Sequence, residues 1–389
     1  MIIVEDIPVP FDRRVWQEAC ALREAGYGVS VICPKRNTFT DARETLEGIE
    51  IYRHGLREGS GPVSYVWEYL QAVAAQFILA IRIYRRSRFR VIHACNPPDT
   101  IFLVGAFFKL FGVRFIFDHH DLNPELFEVK FGRRGLLYRL VCLAERLTYR
   151  TADVSIATND SYRQIAVERG GMTPTRAFVV RSAPDLNRIS LRPPRDDLKL
   201  GRKYLVLYLG TMGPQEGVDL LLEATAHIAR VRSDTAFVII GAGSEVQRLK
   251  SITANLGLES MVRFTGRIPD AELADYLSTA DVCVAPDPKN PMNDKSTMNK
   301  VLQYMAYSRP VVLFDLTEGR RAAGDAALYA CPNDPADFAA QILRLLDAEP
   351  LRRELARRGR RRIEENLNWE REKIALLDAY RAALQPVWR

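Results

Sequence analysis

The chain has 389 residues, a net charge of +7 at neutral pH, 47% apolar and 26% charged residues. This sets aside disorder, low-complexity arrays and a single small fold, and leaves room for two domains. The charge is too mild for a dedicated nucleic-acid binder, and no Lys/Arg tract interleaved with aromatics marks a nucleic-acid module.

From the first residues, short β-branched or aromatic runs alternate with helical patterns. Strands are predicted at 2–4, 29–33, 91–94, 115–118, 154–157 and 178–181, with a helix at 13–25 and helical segments between the others. The polar, Pro- and Arg-containing stretch 186–202 reads as a linker. A second series follows, with strands at 204–209, 236–240, 262–265, 282–285 and 311–314. Beyond residue 334 only helices are expected, at 336–346, 351–365 and 369–384. Strands alternating with helices mean parallel sheets covered on both faces. We therefore expect an α/β chain of two doubly wound, Rossmann-like domains, 1–185 and 203–368, facing a cleft, with a last helix, 369–389, crossing back to the first domain.

Met1 leads straight into Ile2-Ile3-Val4, so no signal peptide is read and the true start is expected slightly upstream. The apolar stretch 101–111, interrupted by Lys109, falls short of the roughly 20 residues of a spanning helix. The six cysteines lack CxxC spacing, and Cys33, Cys95 and Cys283 lie in or beside apolar runs, so they read as buried thiols in a reducing compartment. A cytoplasmic protein is expected.

Five segments carry polar chemistry. The loop after the first strand reads Phe11-Asp12-Arg13-Arg14-Val15-Trp16 and has no glycine. Arg13 and Arg14 at a helix start suit an anion, or one of them simply pairs with Asp12 or Glu18. The fourth strand ends Asp118-His119-His120-Asp121, at the strand end where sites form. No second His/Cys cluster follows at ligand spacing, so a metal site is the least expected reading, behind a polar catalytic role for one histidine and a structural one. Gly210-Thr211-Met212-Gly213 and Gly241-Ala242-Gly243 follow strands as nucleotide-type loops, without the third glycine of a dinucleotide fingerprint. Finally, Lys295, Asn299 and Lys300 crowd the start of a helix that Ser296 or Thr297 would cap. They suit a diphosphate, the alternative being a solvated capped helix.

Taken together with Phe264-Thr265-Gly266-Arg267-Ile268-Pro269 and the run from Asp294 to Ala306, these segments resemble retaining glycosyltransferases of the GT-B fold, family 4, of the type associated with bacterial surface polysaccharides. The resemblance implies sugar transfer from a nucleotide-diphosphate sugar, with UDP the expected nucleotide, to a glycan or polyprenyl-linked acceptor, with the anomeric configuration retained. It implies no cofactor and no metal, in keeping with the lack of any Asp-x-Asp. It places His120 beside the donor sugar, and Gly210, Thr211, Met212, Gly213, Gly241, Gly243, Arg267, Ile268, Lys295, Ser296, Thr297, Asn299, Lys300 and Gln303 around the donor. Arg13, Arg14 and Asp121 fall on the acceptor or phosphate side.

The chain departs from that pattern where the family commonly holds an Arg, a Lys and two glutamates: Thr211, Glu216, Lys295 and Gln303 stand there. Lys295 and Lys300 are then the expected substitutes for the missing cations, because an unpaired buried diphosphate would be strongly disfavoured. A nucleotide-sugar epimerase and a non-catalytic nucleotide-sugar binder are the competing readings. The helix 65–90 ends in Arg82, Arg85, Arg86, Arg88 and Arg90, and reads either as a packed helix with solvated arginines or as a contact with anionic lipid.

Overall fold

The computed structural model describes residues 1–389 except 6, 37–38, 56–61, 133 and 386–389, and only the backbone of 62–70 and 130. The beginning of the predicted basic helix, 65–70, thus lies outside the described side chains. The chain divides into two units, Met1–Ser182 with Glu372–Arg389, and Ala183–Arg371.

The first unit runs β1 (Ile2–Ile3), α1 (Arg13–Glu24), β2 (Ser30–Pro34), β3 (Arg43–Leu46), β4 (Ile49–His54), α2 (Pro62–Ser87), β5 (Val91–Cys95), α3 (Phe102–Lys109), β6 (Arg114–His119), α4 (Asn123–Phe131), α5 (Leu136–Thr151), β7 (Val154–Ala157), α6 (Asp160–Glu168) and β8 (Ala177–Val179). Among the described residues these strands form one sheet in the order β3-β4-β2-β1-β5-β6-β7-β8. It is parallel except for β3 against β4. The central strands β2 and β5 are buried along their whole length, as the continuous apolar runs of a doubly covered parallel sheet require. The β3–β4 edge was not legible in the sequence, because Arg-Glu-Thr-Leu alternates between exposed and half-buried and holds no apolar run.

The second unit runs β9 (Tyr204–Leu209), α7 (Val218–Ala229), β10 (Thr235–Ile240), α8 (Val246–Asn255), β11 (Val262–Gly266), α9 (Asp270–Thr279), β12 (Val282–Ala285), α10 (Asn299–Ala306), β13 (Val311–Phe314), α11 (Thr317–Ala323), β14 (Ala327–Ala330), α12 (Pro335–Asp347) and α13 (Glu349–Glu365). Its parallel sheet has the order β11-β10-β9-β12-β13-β14. Along β9 and β10, Leu205, Leu207, Ala236 and Val238 enter one core cluster while Val206, Tyr208, Phe237 and Ile239 enter the other. The period-2 side-chain alternation thereby builds a core on each face.

Two expectations are corrected. The stretch 186–202 is not a free linker: Leu186, Ile189, Leu198 and Leu200 pack on the second core, and the Arg192 and Arg195 amides donate to Ser278 Oγ and Thr279 Oγ1. Its apolar residues, masked by prolines and charges in the sequence, have a surface to cover. The cap of α10 is also different. The helix starts at Asn299, its N-cap position is Met298, and Ser296 Oγ turns back to donate to Met292 O at 2.9 Å. The last helix, α14 (Trp369–Leu384), joins the first unit from Glu372 onward.

Candidate functional site

In the first unit, α1 opens with Asp12 accepting from the Val15 amide at 3.0 Å, a side-chain cap that fixes where the helix begins. That start leaves Arg13 exposed and turns Arg14 inward. β6 delivers Asp118 to the carboxyl end of the sheet, where it is fully buried. Arg14 Nη2 lies 2.9 Å from Asp118 Oδ1, and Arg14 Nη1 donates to Val180 O at 2.7 Å. One helical turn on, Glu18 lies 3.1 Å from Arg14 Nη2 and is itself fully buried. Its pKa is raised by burial. His93 Nε2 approaches Asp118 Oδ2 at 3.3 Å, and its Nδ1 lies 3.0 Å from the hydroxyl of Tyr380 on α14.

His120 closes this cluster and is its half-exposed member. Its Nε2 lies 2.7 Å from Asp118 Oδ2 and 3.0 Å from Arg14 Nε. One ring nitrogen cannot both donate to the carboxylate and accept from the guanidinium. Burial opposes charge on His120, but Asp118 raises its pKa above the ordinary histidine value. Burial alone would raise the Asp118 carboxyl, yet Arg14 and His120 hold it well below the usual carboxylate range. Nε2–H therefore donates to Asp118, and Arg14 Nε turns to Asp118 Oδ2 at 3.3 Å. Nδ1 of His120 is left for a partner outside the cluster. The His120 amide is fixed by Asn96 Oδ1 at 2.6 Å.

His119, by contrast, points into the core. It lies 2.7 Å from Tyr149 OH and is pushed down to about 3 by burial, so it stays neutral. Asp121 is exposed just beyond the strand. The ligand atoms of His93, Cys95 and Asp118 lie within 4.8 Å of one another. Arg14 already neutralises Asp118 there, so a metal ion would have to compete with a buried guanidinium.

In the second unit the glycines serve the backbone. Gly241, at φ +139°, lies so close to the Gly210 carbonyl that an added Cβ would sit 1.8 Å from its oxygen, and Gly243 presses on Met212 O. The Gly210 and Met212 amides donate to Ile240 O and Ala242 O at 3.0 Å each. Those two amides are therefore spent on holding the loops together. Thr211 is exposed and Met212 buried.

Lys300, at the start of α10, is drawn into the interior. Its Nζ lies 2.8 Å from Asp287 Oδ1 and 2.9 Å from Glu216 Oε2, and 4.9 Å from the centre of the Tyr208 ring. Burial opposes the ammonium, but Asp287 and Glu216 raise its pKa above the usual lysine value. Burial pushes Asp287 up to about 6, and its Oδ2 is buried without a hydrogen-bond partner. Glu216, standing where the family pattern has a cation, is thus the partner of the lysine at position 300. Arg267 and Asn299 are exposed, and Ile268, Lys295, Ser296, Thr297, Gly213 and Gln303 are half-buried.

His93, Tyr380 and Asp287 were missed as site residues, whereas Glu18 was expected as a possible partner of Arg13 or Arg14 and does pair with Arg14. The i,i+4 spacing of Arg14 and Glu18 was a usable signal. So was the position of Asp287 just beyond β12, at a strand's carboxyl end. Tyr380 gave no signal at all.

Two parallel-sheet α/β units of this topology, with polar clusters at strand carboxyl ends and a helical end to the chain, define the GT-B architecture. Residues 12–183 match the family described as Glycosyl transferase 4-like domain and residues 203–348 that described as Glycosyl transferases group 1. Each of the two units thus carries a domain of a glycosyltransferase family. A D-inositol 3-phosphate glycosyltransferase of Geodermatophilus obscurus is 31% identical over 265 residues, covering 64% of this chain and 54% of that protein. The chain thus spans little more than half the length of that relative. Sucrose-phosphate synthase from Thermosynechococcus elongatus superposes with a TM-score of 0.78 at 20% identity, covering 98% of each chain. Anabaena HepE, solved in complex with UDP and glucose, superposes at 0.75 with 15% identity over 98% of this chain and 99% of that one. At these identities the two structures speak for the fold alone.

Proposed function

We propose that the chain moves a sugar from a nucleotide-diphosphate sugar, with UDP the expected nucleotide, to a hydroxyl of a glycan or lipid-linked acceptor in surface polysaccharide synthesis. The anomeric configuration is retained and no metal takes part. The anomeric C–O bond to the diphosphate breaks, the nucleoside diphosphate leaves with the electron pair, and the acceptor oxygen bonds to the anomeric carbon while its proton passes to the leaving group. The observation that carries this reading is the Arg14–Asp118–His120 cluster, which holds the His120 ring at a sheet's carboxyl end, its pKa raised by Asp118 against the opposing effect of burial, with Nδ1 left for a sugar oxygen or hydroxyl. The UDP and glucose bound by HepE support a nucleotide-sugar donor.

Lys300, with Lys295, is the cation we assign to the diphosphate. Lys300 would be exchanged from its carboxylates to the phosphates as Asp287, already raised to about 6, takes up a proton. The test is incubation with UDP-, GDP-, ADP- and dTDP-sugars in the presence of a chelator, with product configuration read by NMR. Transfer or slow hydrolysis without metal supports the reading. Isomerisation of the sugar would make the chain an epimerase, and stabilisation by nucleotide without turnover a binding protein.

A further inference from the structure

His120 is fixed in two ways: its ring by Asp118, and its main chain by a separate set of buried side chains. β5 and β6 are neighbours in the sheet, and Asn96 follows the last residue of one as His120 follows the last residue of the other. Asn96 is 2% exposed. Its Oδ1 accepts the His120 amide at 2.6 Å and the Asp121 amide at 3.2 Å. Its Nδ2 donates to the Asp121 carbonyl at 2.7 Å and to Asp99 Oδ1 at 2.9 Å. Two N–H groups face the oxygen and two acceptors face the nitrogen, so the orientation of this amide follows from its partners. All its hydrogen-bonding positions are thus engaged, and most of them grip the two residues that follow β6.

Asp99 anchors the amide in turn. It is buried and opens the short helical turn Asp99–Ile101. Its Oδ2 accepts from Nδ2 of Asn123, the first residue of α4, at 2.8 Å. The Thr148 hydroxyl of α5 donates to the Asp99 carbonyl. Burial pushes the Asp99 carboxyl up to about 6, while Asn123 and Asn96 hold it down; Asp121 adds to the rise and Arg169 opposes it. Burying a carboxylate is costly, and a neutral amide at position 99 would cost less. An amide, however, has one acceptor oxygen, whereas each oxygen of the carboxylate receives an amide donor here. The ends of β5 and β6 and the start of α4 are in this way tied to one buried charge.

We propose that Asp99 is a positioning residue for His120: through Asn96 it fixes the main chain after β6, so that a ring with Nε2 on Asp118 aims Nδ1 in one direction. The inference rests on reading His120 as the group beside the donor sugar, but the first of its two tests involves no sugar. The chain has five histidines, so nitrogen-15 histidine labelling gives a sparse amide spectrum. Hydrogen exchange at the His120 amide is followed at about pH 7.5, where Asp99 is ionised. His93, whose amide donates to Met1 O within the same sheet, and His227 on α7 are the controls.

In Asp99→Asn the new side chain can accept from Asn96 or from Asn123 but not from both, and protection of the His120 amide should fall about tenfold. Asp99→Asn/Asn123→Asp swaps carboxylate and amide across the same contact and should restore it. Asn123→Ala, at a half-buried position, is the milder variant and should lower protection by a smaller factor. In sugar transfer, Asp99→Asn should lose about tenfold or more in kcat with the donor KM little changed, and the double variant should recover the rate. Unchanged protection at His120 in Asp99→Asn, or an equal fall at His93, would overturn the proposal. So would a double variant that regains protection but not kcat. A parent that transfers no sugar, with His120 protection still following Asp99, would refute the transfer reading and leave the positioning role standing.

Discussion

Charges and hydrogen bonds around single side chains set two measurable properties. His119 is held neutral at about 3 in the folded chain against 6.5 for an ordinary histidine. Below pH 6.5 the unfolded chain takes up a proton that the folded one refuses, so this residue costs stability as the pH falls. Between pH 7 and 5 the linkage amounts to about 2 kcal/mol. Glu145 works the other way. Burial raises it to about 7, so its contribution is present at low pH and lost as the pH rises from 4.5 through 7. The quantity to measure is therefore the difference in urea unfolding free energy between pH 7 and 5, compared for the parent and His119→Gln. The variant should lack the histidine contribution, and identical pH dependence would mean His119 titrates normally.

Lys300 sets the second property. Removing its charge leaves Asp287 and Glu216 facing each other unpaired, so Lys300→Ala should lose about 3–5 kcal/mol in urea unfolding. Lys300→Met with Asp287→Asn should recover most of it, and in that double variant a loss of UDP affinity reads the phosphate contact without the folding defect. Thr211→Arg, on an exposed position of the Gly210 loop, is the variant expected to restore affinity. Glu216→Lys would instead set two ammonium groups together.

Among the elements, the loops that close β9 and β10 show what the glycines are for. Gly241 combines φ +139° with a backbone oxygen in the place of a side chain. Gly241→Ala must push the Gly210 loop away, and should cost more than about 3 kcal/mol and abolish stabilisation by UDP in a thermal melt. Gly257 is the control: its φ is +68° and the space around it is open, so alanine there should cost only about 1–2 kcal/mol of left-handed strain. Equal effects at both positions would deny the loop-on-loop contact.

The strands at 154–157, 204–209, 282–285 and 311–314 were legible to the residue, since continuous apolar runs have nowhere to go but a doubly covered sheet. β14 escaped notice because Ala-Leu-Tyr-Ala lies half-buried at the sheet's edge. The cap of α10 was misread because Ser296 satisfies Met292 O instead of a helix amide.

At the scale of the whole chain, the last residues complete the first unit. Leu376, Ala379, Tyr380 and Ala383 are buried, the Tyr27 and Tyr380 rings stand 5.6 Å apart, and Glu372 accepts the Arg181 amide at 2.8 Å. Truncation after Arg371 should therefore strip hydrogen-exchange protection from β5 and β6 while β9 and β10, with cores of their own, keep theirs. Unchanged protection in β5 would make α14 an ornament of the fold. No helix among the described residues is long and apolar enough to cross a membrane.

Local pattern determined the alternation of strands and helices, the two α/β series, the glycine loops at strand ends and the histidine pair at the end of β6, because hydrophobic period and backbone freedom act over a few residues. The tertiary structure alone decided which charges are spent and which remain. Arg14 and Asp118 are 104 residues apart in sequence, and His93 and Tyr380 are 287 apart. An arginine beside a helix start looks ready for an anion until the sheet brings a buried carboxylate to meet it. Lys300 looks ready for a phosphate until Asp287 and Glu216 close on it. Burial is the reason: a charge in water needs no particular partner, whereas a charge in the interior must find one, and the sheet topology determines which is within reach.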